Sequence, residues 1–260
     1  MIQGCKTPRE LIISLCLDLK GNWEEIYQYI VSKKNIEKIY HIEDYPFKCI
    51  TILDEDYPEY LKRIRRPPFC LFYYGDISLI KNNDYKRLAI IGSRNCTSYG
   101  LEMTNKIIKG LDSSFLIVSG LARGIDRQAH KEALETNKKT IAVLASGIDY
   151  IYPKENEDIY KKIKECGLLV SETPFAIPPK PEQFVFRNRL ISTFSDAVLI
   201  TEAGERSGTL TTVGFALNEG KDIMCIPHLA DSNSSCNRLI KEGAILVENA
   251  KDVIENLEKR

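Results

Sequence analysis

This 260-residue chain is short of several features that would each announce a function. It carries no excess charge of either sign, because lysine plus arginine is 36 and aspartate plus glutamate is 36. Bulk charge therefore predicts no polyanion partner, and any nucleic-acid site must be a local patch. Histidine occurs three times, at His41, His130 and His228, never at ligand spacing from a cysteine. The eight cysteines include no C-x-x-C pair, which leaves no metal site to expect and favours free thiols in a reducing cytoplasm over disulfides. No apolar run approaches the ~20 residues of a membrane span, and Glu10, Asp18 and Lys20 interrupt the N-terminal one. Neither a span nor a signal peptide is expected, and the protein reads as cytoplasmic. There is no G-x-x-x-x-G-K-[ST] phosphate loop and no G-x-G-x-x-G, which sets aside ATP motors and dinucleotide enzymes.

What is present is the composition of a globular protein, 43% hydrophobic and 28% charged, long enough for one large domain with a small appendage. From Thr7 to Tyr40 apolar residues fall at helical spacing (Leu11, Ile12, Leu15, Leu19, then Trp23, Ile26, Tyr27, Ile30), broken at Gly21-Asn22. Residues 1–45 thus read as a small helical N-terminal module and residues 46–260 as the main domain. A Gly-apolar-Gly turn, which a helix-hairpin-helix DNA grip would need, is missing from that module. Breakers at Asp54–Pro58 and Arg65–Pro68 precede a strand over 69–74.

Beyond it, strands expected at 87–92, 115–119, 140–145, 168–171, 197–202, 223–227 and 244–248 alternate with helices near 98–110, 124–136, 155–165, 185–194, 208–219, 234–241 and 250–258. Near-continuous apolar strands separated by amphipathic helices predict an α/β fold, a doubly wound, Rossmann-like parallel sheet covered on both faces. That class binds its ligand at the carboxyl ends of the strands.

Polar motifs stand where those ends are expected. Leu88–Ile91 runs into Gly92, Ser93 and Arg94 before a helix starting near Ser98, a turn whose free N–H groups, helix dipole and guanidinium all favour an anion. The second strand ends in Ser119-Gly120-Leu-Ala-Arg123-Gly-Ile-Asp126, and the third in Leu144-Ala-Ser146-Gly147-Ile-Asp149, then Tyr150-Ile-Tyr-Pro153. The fourth gives Ser171-Glu-Thr-Pro-Phe175 and a proline-stiffened loop into Phe184-Val-Phe-Arg-Asn-Arg189. The fifth gives Glu202-Ala-Gly-Glu-Arg-Ser207-Gly208-Thr209, a donor-rich helix start. Each alone is compatible with a routine turn, but the fold rule converges all five on one cleft.

Arg94, Arg123, Lys180, Arg187 and Arg189 are the cations near that rim, interleaved with Phe175, Phe184 and Phe186. Cations for phosphates beside aromatic faces for bases make a single-strand nucleic-acid groove. The competing reading places the phenylalanines in the core and pairs the arginines with Glu172, Glu202 and Glu205. Phe186 reads as core, whereas Arg94 and Lys180 read as ligand contacts.

Together these motifs, Ile-Ile-Gly-Ser-Arg-x4-Tyr-Gly100, Ser-Gly-x-Ala-x-Gly-Ile-Asp126, Leu-Ala-x-Gly-x-Asp-x3-Pro153, Phe-x-x-Arg-Asn-Arg-Leu-Ile191 and Glu-Ala-x3-Ser-Gly-Thr209, resemble the DNA-processing protein A (DprA/Smf) family across residues 54–249. The resemblance implies an extended Rossmann domain that binds single-stranded DNA, dimerises and helps load the RecA recombinase in natural transformation. It implies that Arg94 grips the DNA backbone and that Ser146-Gly147 and residues 175–189 complete the contacting rim. Two departures stand out: Ile226-Pro-His228 replaces the family's usual Val-Pro-Gly, and the winged-helix pattern of some members is absent.

Two rival readings stay open. The related lysine-decarboxylase-like phosphoribohydrolases end a glycine-rich motif in a catalytic glutamate, where this sequence has Thr212, which is no carboxylate acid or base. A nucleotide sensor binding a small phosphorylated ligand is the other, and Asp126, Asp149 and Glu202 keep both readings alive. Motif agreement favours a DNA-binding protein without enzymatic activity and without a cofactor. A homodimer is expected through residues 237–247, because the last strand, an edge of the sheet, must be covered or paired, with Ile240, Ile245 and Leu246 as its apolar contacts.

Overall fold

The apolar runs Leu88–Ile91, Phe115–Val118 and Ala197–Ile200 have alternate side chains buried on opposite sides, which only strands in the middle of a covered sheet permit. The structure, a computed structural model, describes residues 7–33, 38–81, 84–204, 207–230, 232 and 234–258. Among these, one sheet has nine strands: β1 (Lys48–Thr51), β2 (Cys70–Gly75), β3 (Lys86–Gly92), β4 (Phe115–Ser119), β5 (Thr140–Val143), β6 (Leu168–Ser171), β7 (Ala197–Glu202), β8 (Asp222–Cys225) and β9 (Ile245–Leu246). Their order is β1-β2-β6-β5-β4-β3-β7-β8-β9. β3 to β9 run parallel, and β2 pairs antiparallel with both β1 and β6.

The helices are α1 (Pro8–Asp18), α2 (Trp23–Val31), α3 (Glu59–Lys62), α4 (Ser98–Gly110), α5 (Ile125–Glu135), α6 (Glu157–Cys166), α7 (Pro181–Thr193), α8 (Thr209–Asn218), α9 (Cys236–Lys241) and α10 (Ala250–Glu258). Ala89 and Ile91 face a core built with α3, α7, α8 and α9, whereas Leu88 and Ile90 face one built with α4, α5 and α10. A third cluster joins α1, α2 and α6 to β1, β2 and β6. Helices α1 and α2 are tied to the sheet by more than apolar contact. Arg9 pairs with Asp54 at 2.6 Å, and the Trp23 indole N–H donates to the Pro67 carbonyl at 2.7 Å. No helix among the described residues is long and apolar enough to cross a membrane.

The doubly wound α/β class expected from the sequence is therefore present, with three local differences. β1, with only Cys49 and Ile50 apolar, carries no strand signal in the sequence, yet it pairs with β2 and widens the sheet. The last strand shrinks from the expected 244–248 to Ile245–Leu246, the terminal strand of the sheet. α7 begins four residues before the expected 185. Its prolines read as loop, but Pro181 sits in the first turn, where its missing N–H costs nothing, and the Gln183 side chain accepts the Lys180 N–H at 2.7 Å.

The topology fixes where a ligand would sit. From β3 the chain leaves through α4 towards β4; from the adjacent β7 it leaves through α8 towards β8, on the other side. The connections diverge there, so a crevice opens between the carboxyl ends of β3 and β7.

Candidate functional site

A cavity of about 820 Å3 occupies that crevice. Gly92, Ser93, Arg94 and Asn95 form one wall, and Gly204, Ser207, Gly208, Thr209 and Thr212 form the opposite one. Phe184, Val185, Arg187, Asn188 and Ile191 of α7 close it together with Tyr152, Pro179 and Pro181, and Asp126 lies beneath. Lys180 stands exposed between those two prolines at the start of α7.

The first wall is rigid. The Ser93 N–H donates to the Glu202 carbonyl at 2.7 Å, and the Ser93 carbonyl accepts from Ile125 N–H at 3.2 Å. A Cβ on Gly92 would lie 2.6 Å from Ile125 Cγ1 and 2.7 Å from the Glu202 carbonyl oxygen, so only glycine lets β3 leave the sheet here. The Arg94 side chain, exposed just beyond, has no carboxylate partner among the described residues. Its guanidinium carbon lies 4.7 Å from the Phe184 ring centroid, and the Tyr152 ring, 44% exposed, is centred 5.7 Å from that of Phe184. Arg94, Phe184 and Tyr152 thus form a cationic and aromatic ledge along the cavity mouth.

One expectation at this turn is corrected. The start of α4, read as a place for an anionic ligand, is filled by the protein's own carboxylate. Glu202 accepts the Thr97 N–H at 3.0 Å and the Thr97 hydroxyl at 2.7 Å, while Thr97 Oγ1 accepts from Gly100 N–H. A ligand phosphate is left to Arg94 and to the opposite wall, where Gly208 opens α8 and Ser207 Oγ accepts the Thr209 N–H at 3.1 Å. Glu205 and Arg206 lie outside the described residues.

The arginines divide by burial. Arg187, 6% exposed, donates from Nη1 to the Gly120 carbonyl at 2.7 Å and also to the Val143 carbonyl. Burial lowers its pKa to about 10, with Asp126 opposing and Arg94 reinforcing that shift, so it stays charged at neutral pH. Asp126 is pushed up by burial against the pull of Arg187 and the Gly120 N–H, which it accepts at 3.1 Å. A Cβ on Gly120 would lie 2.5–2.6 Å from the Arg187 guanidinium, so a larger residue there would displace that side chain from its carbonyl partners.

Several rim assignments made on sequence move inward for these reasons. Gly120 is buried under Arg187, which shows only the cavity floor. Arg189, 3% exposed, is bidentate to Glu172 at 2.6 and 2.7 Å. Arg123 is exposed but chelates Glu155, with Nη2 at 2.9 Å, so its charge is offset. Ser146 and Gly147 are buried: Ser146 Oγ donates to the Tyr150 carbonyl, and Gly147 N–H donates to the Ile177 carbonyl, pinning the 171–179 loop. Phe175 packs on Tyr45 and Phe47, ring centroids 5.4 and 6.0 Å away, in the cluster under α1 and α2. The cavity does bring together Gly92, Ser93, Arg94, Phe184, Arg187, Ser207, Gly208 and Thr209.

Sequence reasoning missed Tyr152, Asn95 and Asn188 as cavity residues. Tyr152 had a signal, an aromatic residue in a proline-marked loop after a strand. Asn188 had one too, standing four residues after Phe184 and hence on the same helix face. The remaining unexplained carboxylate, Asp149, accepts the Tyr74 hydroxyl at 2.6 Å. All three carboxylates that kept other chemistry open thus have structural partners.

Comparison with known proteins adds to this geometry. Residues 48–258 match the sequence profile of DNA recombination-mediator protein A. DNA processing protein DprA of Streptococcus pneumoniae is 40% identical over 214 residues, 82% of this chain and 75% of the relative. The X-ray structure of the S. pneumoniae protein superimposes with a TM-score of 0.78 at 36% identity, covering 97% of this chain and 83% of that one. DNA processing protein A from Helicobacter pylori gives a TM-score of 0.73 at 30% identity, covering 82% and 97%. With the family profile spanning most of the chain, and relatives this similar over most of both lengths, the chain belongs to the DNA recombination-mediator protein A family.

Proposed function

We propose that the crevice between β3 and β7 is a single-stranded DNA groove and that the protein acts as a recombination mediator of the DprA type. The observation that carries this is the ledge of Arg94, Phe184 and Tyr152 over a floor of buried Arg187, which offers cations to phosphates and aromatic faces to bases. The H. pylori relative, described by its single-stranded DNA binding mode, supports the same reading. Protection of incoming single strands, loading of RecA and a part in transformation and homologous recombination in the cytoplasm are extensions of that proposal. Binding rather than catalysis is favoured because Asp126, the carboxylate among the described cavity residues, is engaged below the surface, and Thr212 supplies no acid or base.

The contacts proposed are Arg94, Lys180, Phe184, Tyr152 and the Ser207-Gly208-Thr209 turn, with Arg187 beneath them. The test is a titration of labelled oligothymidylate, duplex and mononucleotides against wild type and Arg94→Ala. Losing one charge-assisted phosphate contact costs about 1.5–3 kcal/mol, so Arg94→Ala is expected to bind single strands tenfold or more weakly. Arg94 and Lys180, with part of Arg187, predict a modest log–log salt slope of about −1.4 to −2, reduced by about 0.7 in the variant. Unchanged binding by folded Arg94→Ala, or equal affinity for duplex, defeats the proposal; preference for a mononucleotide selects the sensor reading.

We also propose a homodimer through α9 and β9, and treat residues 1–45 as a packing module on the 46–260 domain. Supporting the dimer, β9 is the terminal strand, Leu246 is 45% exposed beside half-buried Ile240 and Ile245, and α10 packs on α4. Two grooves on one particle would raise avidity for a long strand. Sedimentation equilibrium is expected to give a dimer for wild type and a monomer for Ile240→Asp with Leu246→Asp. A monomeric wild type at micromolar concentration, or a dimeric variant, removes the dimer.

A further inference from the structure

We propose that a second groove, on the opposite face of α7, binds another stretch of single-stranded nucleic acid. Helix α7 faces the first cavity with Phe184, Arg187, Asn188 and Ile191, which cluster on one side at 100° per residue. Phe186, Arg189 and Thr193 fall about half a turn away and face a separate cavity of about 740 Å3. Its far wall is the loop after α3, Arg63-Ile-Arg-Arg66, and its base includes Tyr60, Phe186 and Phe215.

Counting ion pairs decides the charge of this groove. Glu219 is held by Lys221 at 2.9 Å and by the Thr193 hydroxyl at 2.9 Å. Arg189 is neutralised by Glu172 at 2.6 Å, and Arg66 lies 3.3 Å from Glu24. Glu59, near enough for Arg63 to lower its pKa, is paired first with Lys62 at 2.7 Å. Arg63 and Arg65 are left, both exposed and neither in an ion pair among the described residues. The groove is therefore cationic at its rim although the whole chain is neutral.

The rim is also built in advance. Arg66 adopts a left-handed φ of 63°, Pro67 and Pro68 follow it, and its carbonyl accepts from Arg189 Nε at 3.2 Å and Nη2 at 3.0 Å. The buried Arg189–Glu172 pair thus fixes the loop that carries the free arginines. The Arg189 guanidinium carbon also lies 3.8 Å from the centroid of the half-buried Phe186 ring. Fixed cations beside aromatic rings suit phosphates and a stacked base; an acidic peptide would use only the cations. Passing between the grooves means crossing one helix about 10 Å wide, a short path for an extended strand.

The proposal rests on the first groove only in taking one strand to occupy both. Its test uses the full chain, a short oligothymidylate of about 6 nucleotides and a long one of about 25, spanning the usual footprint of one single-strand module. Arg63→Ala with Arg65→Ala alters exposed side chains, so the thermal unfolding midpoint is expected to hold. The double variant is expected to bind the long strand about tenfold more weakly, with a salt slope shallower by about 1.4, and the short strand as wild type does. Unchanged affinity and slope for the long strand overturn the proposal, as does equally strong competition by oligoglutamate or by dTMP. If Arg94→Ala leaves short-strand binding intact while the double variant still weakens the long strand, the first-groove reading falls and the second groove stands.

Discussion

Arg187→Met is expected to lower the free energy of unfolding by about 3–5 kcal/mol, the cost of taking a charged donor away from two buried carbonyls. The guanidinium holds the Gly120 and Val143 carbonyls together, and its charge opposes the desolvation that pushes the Asp126 pKa up. Methionine fills much of the same volume but leaves two carbonyl acceptors unpartnered and Asp126 without a countercharge. For a domain of this size the loss corresponds to a fall in melting temperature of roughly 8–15 °C. Urea unfolding of the wild type, Arg187→Met and Arg187→Met with Asp126→Asn measures it. Asparagine keeps an acceptor for the Gly120 N–H and does not ionise, so the double variant is expected to recover part of the loss. Should Arg187→Met not fold, Arg187→Lys is expected to fold with an intermediate deficit, since an ammonium keeps the charge and loses the fork. An unchanged midpoint for Arg187→Met would show that the buried guanidinium contributes no stability.

The second large effect is a loss of stability in mild acid that traces to one histidine. His130 is fully buried, its Nδ1 lies 2.7 Å from Thr140 Oγ1, and that hydroxyl donates to the Ile117 carbonyl at 2.8 Å. The ring and the hydroxyl share one hydrogen bond whose direction follows the tautomer, and Nε2 lies buried with no hydrogen-bond partner among the described residues. Burial, reinforced by the nearby Arg187 charge, lowers the imidazole pKa to about 3 against the push of its contact with Ser119. The folded protein thus refuses a proton that the unfolded chain takes up near pH 6.5. Its stabilising share is complete above pH 6.5 and is lost as pH falls from there towards 3, at about 1.4 kcal/mol per pH unit.

By pH 4.5 this single group is expected to have cost about 2.7 kcal/mol. His228 contributes oppositely: its pKa is raised by its contact with the Cys236 thiol, so its share is lost as pH rises. The difference between wild type and His130→Asn isolates the effect, because asparagine can still donate to Thr140 and cannot titrate. Chemical denaturation at pH 7.5, 6, 5 and 4.5, roughly spanning this window, is expected to show the gap between the two proteins closing as pH falls. Parallel curves would mean that His130 titrates normally in the folded state.

Both groups lie in one buried network beneath the groove, which joins stability to the proposed function. Arg187 depresses His130, supports Gly120 and Asp126, and forms the cavity floor. Damage to it is expected to weaken ligand binding through the loss of the floor as well as through unfolding.

The amino-acid sequence by itself determined the alternation of strands and helices, because periods of 2 and 3.6 in apolar residues are local and survive without knowledge of the fold. It also put Gly92-Ser93-Arg94 and Ser207-Gly208-Thr209 at the carboxyl ends of strands on one rim, since a doubly wound sheet gathers those loops there, whereas the adjacency of β3 and β7 came from the tertiary structure. It could not determine which cations face solvent. Arg94, Arg123, Arg187 and Arg189 look alike along the chain, and only the partners brought from 17 to 67 positions away sort them: Glu172 for Arg189, Glu155 for Arg123, the Gly120 carbonyl for Arg187. The same holds for Glu202, which takes the anion's place at α4 from 105 residues away. A side chain's charge is written in the sequence, but whether it is available to a ligand depends on desolvation and on the nearest countercharge. Those are properties of the packed molecule, and here only the tertiary structure decided them.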